Sequence, residues 1–571
     1  MKKTDQQACL TPTYGRVLFG EDIPKNEIPV NSHQPHAVYR FIRDELQLDG
    51  NPTLNMASFV TTVMDDEANR LISENLGKNY IDSEVYHRTL DIQQRCVQMM
   101  LDLYKAPGKM KTAEELHEDR SGPWGTLAIG SSEALMLCAL SHKRQWQKKQ
   151  SKAGKDTSNP NIVLGSDVHI TWVKYAKYFD LEIRWIPIQP ENNFTITADE
   201  VAEKVDDNTT CVVSVMGTSY TGQNDPVESI NNKLVQIKQD KNLDIPLHVD
   251  GASGGFIEPF RQYDRIPQLK WDFELEQVKS INVSGHKFGL VYPGVGWALW
   301  RDIKDIPEDL FISTNVLGFD ETTYSLNFSR GSAMVLAQYY NFLRLGKEGY
   351  QSVIQNLMKV ARHLANGLSA IRVTVKEKVT EDDPGKAIID NHPVFEMVNN
   401  ANYFPAAAVR MNFGDKNQSD NDSEKYIYNV HDIAAKLKQN GWIVPAFSMP
   451  LEEYPPLHKY DDALAQYDGP VINVMRMVVK ESFSWEMADI LIEHYVNSIK
   501  TLEEETRALK YPEKIFEVSV TLQERDLRAD DQELLHSHQR LSDLANKMML
   551  SANKLKREKE LKAKKAPVAA K

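Results

Sequence analysis

The chain has 571 residues, of which 41% are hydrophobic and 26% are charged, a balance typical of a globular protein and unlike a collagenous or disordered chain. Its formal net charge of −13 argues against a general nucleic-acid-binding protein, which needs a basic face. No apolar run approaches the ~18 residues of a membrane span. The opening MKKTDQQACL does not resemble a secretory signal, so we expect a cytoplasmic protein.

Four cysteines lie far apart, and no two of them form a CxxC pair: Cys9, Cys96, Cys138 and Cys211. This spacing argues against both a disulfide framework and a zinc ribbon. We therefore expect buried free thiols and no metal site.

The first candidate site is the string IGSSEALMLCAL, in which Gly130, Ser131 and Ser132 precede a helix-prone run. Backbone amides at a helix N-terminus, the positive end of the helix dipole and two hydroxyls together suit a phosphate or another anion. An ordinary serine N-cap has the same pattern. The string alone therefore leaves both interpretations open.

From about residue 158 to residue 301, short apolar runs alternate with helix-length segments. The runs are NIVLG, LEIRWIPI, TCVVSVM, PLHVD, SINVS and GVGWALW. This alternation is typical of βαβ units and predicts an α/β fold with a mostly parallel sheet. Ligands bind such sheets at the carboxyl ends of the strands, so the residues that follow each run are candidates for a functional site.

Three polar residues occupy such positions. His169 stands near the start of the helix after NIVLG, Asp250 ends PLHVD, and Lys287 follows SINVS in the string VSGHKFG. Taken singly, the histidine fits a structural role, the aspartate a helix cap and the lysine a solvated surface charge.

Together with the GSSEA string, these three residues suit one cofactor better than any other. Pyridoxal 5′-phosphate requires a lysine that forms a Schiff base and a carboxylate that keeps the pyridine nitrogen protonated. It also requires a ring to stack on and an anchor for its phosphate. We therefore predict a pyridoxal-phosphate enzyme.

After about residue 346 the pattern changes to helices separated by the extended runs AAAVRMNF and VINVMRMVV, which predicts a smaller α+β domain. Beyond residue 505 the chain is polar and helix-prone, and residues 551–571 hold eight Lys or Arg against two Glu. We therefore predict an N-terminal segment (1–60), a large cofactor-binding domain (61–345), a small C-terminal domain (346–505) and a helical, basic extension (506–571).

The extension contains apolar residues at helical spacing, which predicts an amphipathic helix that packs on the protein itself or on a partner. These residues are Leu534, Leu541, Leu544, Met548 and Leu555.

The sequence resembles the group II pyridoxal-phosphate-dependent decarboxylases and, within them, the glutamate decarboxylases of bacteria and plants. The likeness runs from ELQLDGNPTLNMASF at residue 45 to about residue 505, and it includes KNYIDSEVY, IGSSEA, VSGHKFG, NFSRGS and AQYYNFLRLGKEGY. It implies the type I, aspartate aminotransferase-like fold of pyridoxal-phosphate enzymes, with a large mostly parallel sheet and a small α+β domain.

The resemblance also implies roles for individual residues. Lys287 is the lysine that forms the internal aldimine, Asp250 is the partner of the pyridine nitrogen, and His169 stacks on the ring. The phosphate or its surroundings are contacted by Ser131, Ser132, His286 and, from the neighbouring subunit, Ser329, while Ser219 supplies a hydroxyl near the cofactor. This last contact implies a homodimer or a higher homo-oligomer.

For the substrate, the resemblance points to Arg476 in the string MRM as the arginine that binds the α-carboxylate, since a planar guanidinium offers two parallel donors. Ser58, Phe59 and Asp82 match positions that hold the distal carboxylate of glutamate, although the family usually has threonine at position 58.

The implied reaction is decarboxylation of L-glutamate to 4-aminobutyrate and CO2, with one proton consumed per turnover. Lys287 and, less directly, Tyr324 are candidates for the proton donor. Two alternatives remain open at this stage. One is a decarboxylase or lyase of the same family that acts on another amino acid, and the other is a non-catalytic scaffold that partners through its tail.

Overall fold

The computed structural model describes residues 23–262, 267–314, 321–378, 388–413, 426–450, 471–521 and 532–565. The chain divides into two compact units between Asn55 and Met56. The described part of the first unit contains helix α1 (Pro35–Leu46) and a short 3-10 turn at Pro52–Leu54. Proline suits the first turn of α1 because its fixed φ is helical and no donor is needed there.

A seven-stranded sheet lies at the centre of the second unit, with the strand order β1-β7-β6-β5-β4-β2-β3. Neighbouring strands from β6 to β3 are parallel, which confirms the predicted mostly parallel sheet. The strands are β1 (Trp124–Ala128), β2 (Asn161–Gly165), β3 (Glu182–Ile186), β4 (Thr209–Val215), β5 (Leu247–Asp250), β6 (Val278–Ser284) and β7 (Gly296–Trp300).

Strands β1 and β7 differ from the rest because they pair antiparallel at one edge. A parallel connection needs a crossover of about a dozen residues or more, and the loop 285–295 between β6 and β7 is too short to provide one. The strand β7 therefore folds directly back along β6, which places the loop at the carboxyl end of the sheet.

Helices cover both faces of this sheet, which explains why β2, β4 and β5 are buried along their whole length. Trp172 and Tyr175, for example, are fully buried in a cluster with the side chains of β2 and β4. The helices are α2 (Asp66–Asn75), α3 (His87–Leu103), α4 (Ala113–Glu118), α5 (Ser131–Lys152), α6 (Ile170–Tyr178), α7 (Ala198–Lys204) and α8 (Val227–Lys241).

The C-terminal part has two smaller antiparallel sheets, ordered β12-β13-β15-β14 and β11-β10-β16, while β8 and β9 form a separate hairpin. The strands are β8 (Ile312–Thr314), β9 (Glu321–Thr323), β10 (Ile371–Glu377), β11 (Ile388–Pro393), β12 (Phe395–Asn400), β13 (Ala406–Met411), β14 (Ala446–Pro450), β15 (Val471–Val478) and β16 (Lys514–Val520). The helices are α9 (Ala333–Ser369), α10 (Val430–Gln439), α11 (Trp485–Glu505), α12 (Arg507–Lys510) and α13 (Gln532–Lys565). Gly346 interrupts α9 with φ 57°, at the predicted domain boundary.

The predicted extension (506–571) contains a strand as well as helices. Strand β16 pairs with β10 from Ile371↔Val520 to Glu377↔Lys514, because the run KIFEVSV alternates apolar and polar residues as a strand does. The strand was not predicted because the residues around this run are polar and helix-prone. The extension is thus joined by backbone hydrogen bonds to β10.

Helix α13 packs on the protein itself through part of the predicted stripe. Leu541 and Leu544 are buried and Met548 is half-buried, while the side chains of Leu534 and Leu555 lie outside the described residues. A polar contact adds to this packing, since the ring of His363 in α9 lies 2.9 Å from the Ser537 hydroxyl and 2.7 Å from Asp489 of α11.

We expect Leu541→Ala to lower the free energy of unfolding by about 2–4 kcal/mol, because it leaves a cavity beside α9 and α11. Leu541 is 1% exposed, whereas Leu550 on the same helix is 66% exposed. The matched change Leu550→Ala should therefore stay within about 0.5 kcal/mol of the parent. Denaturant unfolding of both variants checks this, and equal losses would contradict the packing of α13 on the enzyme.

Cys96, Cys138 and Cys211 are buried free thiols, as predicted, and Cys9 lies outside the described residues. None of the helices in the described part of the chain has the length and apolar character needed to cross a lipid bilayer.

Candidate active site

A cavity of about 350 Å³ opens at the carboxyl ends of β2, β4, β5 and β6, where the strand pattern predicts ligand binding. Each predicted cofactor residue except Ser329 lines it. Ser131 begins α5, His169 caps α6, Asp250 ends β5 and Lys287 follows β6. The lining also includes Ser132, Ser219, Ser253, Ser284 and His286.

Lys287 lies at the base of this cavity, and its Nζ donates to the hydroxyl of Ser253 at 2.9 Å. Burial lowers the pKa of Lys287 to about 8; the carboxylate of Asp250 opposes this shift and the charge of Arg476 adds to it. A buried lysine with a lowered pKa supplies more of the neutral amine that attacks a carbonyl group.

The carboxylate of Asp250 is buried and accepts three hydrogen bonds. Its Oδ1 accepts from the backbone N–H of Ala252 at 3.1 Å and from Nδ2 of Asn282 at 3.0 Å. Its Oδ2 accepts from Nε1 of Trp172 at 2.9 Å. These neutral donors orient the carboxylate without neutralising it, so it suits a cationic partner such as a protonated pyridine nitrogen.

The N-terminus of α5 forms an anion cradle beside Lys287. Ser131 Oγ lies 2.6 Å from Ser284 Oγ, which ties the first turn of α5 to the end of β6. A Cβ at Gly296 would overlap the backbone of Gly130 and Ser131, so only glycine lets β7 approach this turn so closely. No side chain caps the start of α5 at Gly130, so the amides of this helix end are available to a phosphate.

Two imidazoles border the same cavity. His286 donates from Nδ1 to the carbonyl of Val295 at 3.0 Å, and burial together with the charge of Lys287 lowers its pKa to about 4. His169 accepts from the backbone N–H of Thr171 at 3.3 Å, and burial followed by the charge of Lys287 lowers its pKa as well. Both rings are therefore neutral at neutral pH.

Phe59 and Arg476 meet next to Lys287, although they are distant in sequence. The Nζ of Lys287 lies 5.0 Å from the ring centroid of Phe59, and the guanidinium of Arg476 lies 4.4 Å from it. Arg476 Nη2 donates to the carbonyl of Ala57 at 3.0 Å, whereas Nε and Nη1 are buried and have no hydrogen-bond partner among the described residues. Burial lowers its pKa to about 9. Two unsatisfied donors on a buried guanidinium suit a carboxylate ligand.

Five of the predicted site residues are not part of the lining of this cavity: Ser58, Phe59, Asp82, Ser329 and Arg476. Ser58 Oγ accepts from the N–H of Val60, so the serine lies on the segment that carries Phe59. Asp82 and Ser329 lie instead beside Asn79. The side-chain amide of Asn79 donates to the Ser329 hydroxyl at 3.3 Å, and the backbone carbonyl of Asn79 accepts from the N–H of Asp82.

The structure corrects the interpretation of Tyr324 as a proton donor. Its hydroxyl donates to the carbonyl of Leu137 at 2.6 Å, and its ring packs among Trp124, Trp300 and Phe311. Tyr324 therefore belongs to the apolar core. Of the two candidates, only Lys287 faces the cavity.

Several contacts of the site were missed from the sequence. Ser253 bonds Lys287, Trp172 and Asn282 bond Asp250, and Thr61 Oγ1 donates to the carbonyl of Lys287 at 2.7 Å. Ser253 lies in GASGG, directly after the strand, and this position could have marked it as a candidate site residue from the sequence. The other contacts depend on how distant segments meet.

The residues present fit pyridoxal phosphate on the geometry alone. A lowered-pKa lysine, a hydrogen-bonded carboxylate, two neutral imidazoles and an open helix N-terminus surround one cavity at the carboxyl ends of parallel strands. This combination on this fold defines a pyridoxal-phosphate enzyme.

Comparisons with known proteins narrow this class. The family model described as the pyridoxal-dependent decarboxylase conserved domain matches residues 29–381. Glutamate decarboxylase 5 of Arabidopsis thaliana is 39% identical over 500 residues, which cover 88% of this chain and 89% of the plant protein. Glutamate decarboxylase of Aliivibrio fischeri is 36% identical over 491 residues, which cover 86% and 92%. The chain belongs to the pyridoxal-dependent decarboxylase family.

A solved structure agrees with this assignment. Glutamate decarboxylase from Lactobacillus brevis CGMCC 1306 superposes with a TM-score of 0.70 at 32% identity, over 87% of this chain and 99% of that one. The fold predicted from the sequence is therefore confirmed, and so is the cofactor, pyridoxal phosphate.

Proposed function

We propose that the protein decarboxylates L-glutamate to 4-aminobutyrate and CO2. The observation that carries this proposal is Arg476, whose two unsatisfied buried donors lie over Phe59 and next to Lys287. Support comes from relatives named glutamate decarboxylases at 33–39% identity. A site that binds a carboxylate beside a reactive lysine suits an amino-acid substrate.

Pyridoxal phosphate, when bound, supplies an electron sink for the electron pair released as the bond to the α-carboxylate breaks. Lys287 holds the cofactor through its amine, and Asp250 keeps the pyridine nitrogen protonated. Arg476 binds the α-carboxylate and orients its bond before CO2 leaves. The Nζ of Lys287 then delivers a proton to the α-carbon, so that each turnover consumes one proton.

The remaining cofactor and substrate contacts are part of the same proposal. Ser131, Ser132 and His286 hold the phosphate or its surroundings, Ser219 supplies a hydroxyl near the cofactor, and His169 stacks on the ring. Ser58 and Phe59 bind the distal part of glutamate together with Asp82.

We further propose that two copies of the chain complete each site, with Asp82 and Ser329 reaching the neighbouring subunit. Both lie at Asn79, outside the cavity that Lys287 lines. The surrounding segments expose large apolar side chains, as an interface between copies would require: Leu76, Val85, Leu326 and Phe328. The dimer would be isologous, so that each copy supplies Asp82 and Ser329 to the site of the other.

Mixed dimers test this arrangement. A purified dimer of one Lys287→Ala chain and one Asp82→Ala chain should recover about half of wild-type turnover, since one of its two sites keeps both residues. The matched control is a dimer of one Lys287→Ala chain and one Arg476→Met chain. It should stay inactive because Lys287 and Arg476 belong to the same chain's site, so that each site lacks one of them. Equal inactivity of both mixed dimers would rule out shared sites.

A substrate panel tests the proposed specificity. We expect kcat/KM for glutamate to exceed that for aspartate, which lacks one methylene, by about 10–200-fold. The advantage over an aromatic amino acid should be greater, because the polar groups for the distal carboxylate would be left unpaired. Preference for another amino acid would support the same-family alternative, and no turnover of any amino acid would support a scaffold.

A cytoplasmic location is also part of the proposal. Free buried thiols at Cys96, Cys138 and Cys211 are typical of a reducing compartment.

A further inference from the structure

A chain of buried hydrogen bonds leads from Asp250 into the sheet, away from the cavity. Asn282 of β6 donates from Nδ2 to Oδ1 of Asp250 at 3.0 Å. The Oδ1 of Asn282 lies 2.8 Å from Nε2 of His248 in β5. The three side chains are almost wholly buried, with Asp250 3% exposed and the other two 0%.

The chain continues along the same face of the sheet to helix α5. The other ring nitrogen of His248, Nδ1, lies 2.7 Å from Oγ of Ser280 in β6. Ser280 Oγ in turn lies 2.7 Å from Nε2 of His142 in α5, and both residues are buried. The amide, the two imidazoles and the hydroxyl thus connect Asp250 with α5.

The chemistry of these groups sets the direction of every bond. Because the amide NH₂ of Asn282 faces a carboxylate, its oxygen accepts from the N–H at Nε2 of His248. Burial lowers the pKa of His248 to about 4, so the ring is neutral and Nδ1 accepts from the hydroxyl of Ser280. Burial also lowers the pKa of His142, to about 3, and its Nε2–H donates to Ser280. All hydrogens in the chain therefore point toward Asp250.

We propose that Asn282, His248, Ser280 and His142 form a positioning relay that fixes the orientation of the Asp250 carboxylate, and thereby keeps the ring nitrogen of the cofactor protonated. Aligned hydrogen bonds in a low-dielectric interior polarise one another, so each link strengthens the donor that reaches the carboxylate. The inference rests on the proposed role of Asp250. None of the four residues lines the active-site cavity, so each acts through its neighbour.

The direct test measures the ring nitrogen itself. The holoenzyme is loaded with pyridoxal phosphate carrying ¹⁵N in the ring, and the ¹⁵N chemical shift is recorded for wild type, Asn282→Leu and His248→Phe. Both variants should move the resonance toward the unprotonated position. They should also lower kcat for glutamate roughly tenfold with KM changed less than about twofold, because the relay acts on the reaction and not on substrate binding.

Two milder variants separate the relay from a purely structural role. His248→Gln keeps an N–H donor for Asn282 and should restore most of the shift and of kcat relative to His248→Phe. Ser280→Ala removes a single hydroxyl, and so keeps the fold intact, and should move the resonance in the same direction by a smaller amount. His363→Gln, at another fully buried histidine far along the chain, is the control and should leave the resonance unchanged.

The outcomes distinguish the two proposals. The relay would be overturned if the ¹⁵N shift and kcat stayed at wild-type values in Asn282→Leu, His248→Phe and Ser280→Ala. If the resonance were nevertheless shifted in Asp250→Asn, the role of Asp250 would stand. An unshifted resonance in Asp250→Asn would overturn the role of Asp250 itself. Equal shifts in His248→Phe and His248→Gln would also overturn the relay, because the retained donor would then have no effect.

Discussion

Lys287→Ala is expected to lower kcat for glutamate decarboxylation by on the order of 10⁴-fold or more, because it removes both the covalent anchor of the cofactor and the proposed proton donor. No other lysine lines the cavity among the described residues, so no second amine there can take its place. The measurement is turnover with added pyridoxal phosphate, together with the absorbance of cofactor that stays bound when borohydride reduction is followed by denaturation.

Lys279→Ala is the matched control for this variant. Lys279 lies in β6, the strand that precedes Lys287, and burial lowers its pKa too. It lines a different cavity, at the amino ends of β4, β5 and β6 and so at the opposite end of these strands from Lys287. The control should therefore keep near-normal turnover and covalently bound cofactor. Comparable activity in the two variants would contradict the assignment of Lys287.

Arg476→Met is expected to lower kcat/KM for glutamate by about 10³-fold, because the substrate carboxylate loses two charge-assisted hydrogen bonds and is left in a buried site. Arg476→Lys should recover only a small part, since an ammonium lacks the planar fork. In the absence of substrate, Arg476→Met should be at least as thermally stable as wild type, because a buried charge with unsatisfied donors is removed.

Arg410→Met provides the comparison. Arg410 is a second buried arginine of the same small sheet, but its Nε and Nη2 donate to Glu396 at 3.0 and 2.8 Å. Its loss should reduce thermal stability and leave kcat/KM nearly unchanged. If Arg476→Met were destabilised as Arg410→Met is, while binding glutamate normally, Arg476 would be a structural residue and the proposed substrate site would be wrong.

The large sheet was predictable because its parallel strands are buried on both faces, so that runs such as NIVLG and PLHVD are short and mostly apolar and lack a solvent-facing polar side. The position of the cofactor residues followed from the same pattern, since strand ends converge at one edge of a parallel sheet. Asp250 and Lys287 were therefore accessible to reasoning from the sequence, and the cavity indeed brings them together.

Other features depend on information that periodicity does not carry. The antiparallel return of β7 was set by the length of the loop before it, and β16 was hidden by its polar surroundings. The contact of Arg476 with Ala57 joins residues 419 positions apart, and no local pattern predicts such a pairing. The resemblance to a known family named these residues, whereas the structure shows how their side chains meet.

The network behind Asp250 illustrates the same limit. His248 lies in β5 and Ser280 in β6. Both strands are buried, so their sequence pattern predicts apolar packing at these positions. Only the register between β5 and β6, which places His248 opposite Ser280, reveals that two polar side chains meet there. Buried polar residues in an otherwise apolar strand are thus a signal that deserves a search for partners.

The most direct test of the central claim follows the carboxyl carbon. Purified protein with pyridoxal phosphate is given L-glutamate labelled with ¹³C at C1, and the products are followed by NMR. We predict one labelled CO2 for each unlabelled 4-aminobutyrate formed, with one proton taken up from the medium. Bound cofactor without release of labelled CO2, or a product that retains the label, would contradict glutamate α-decarboxylation by this protein.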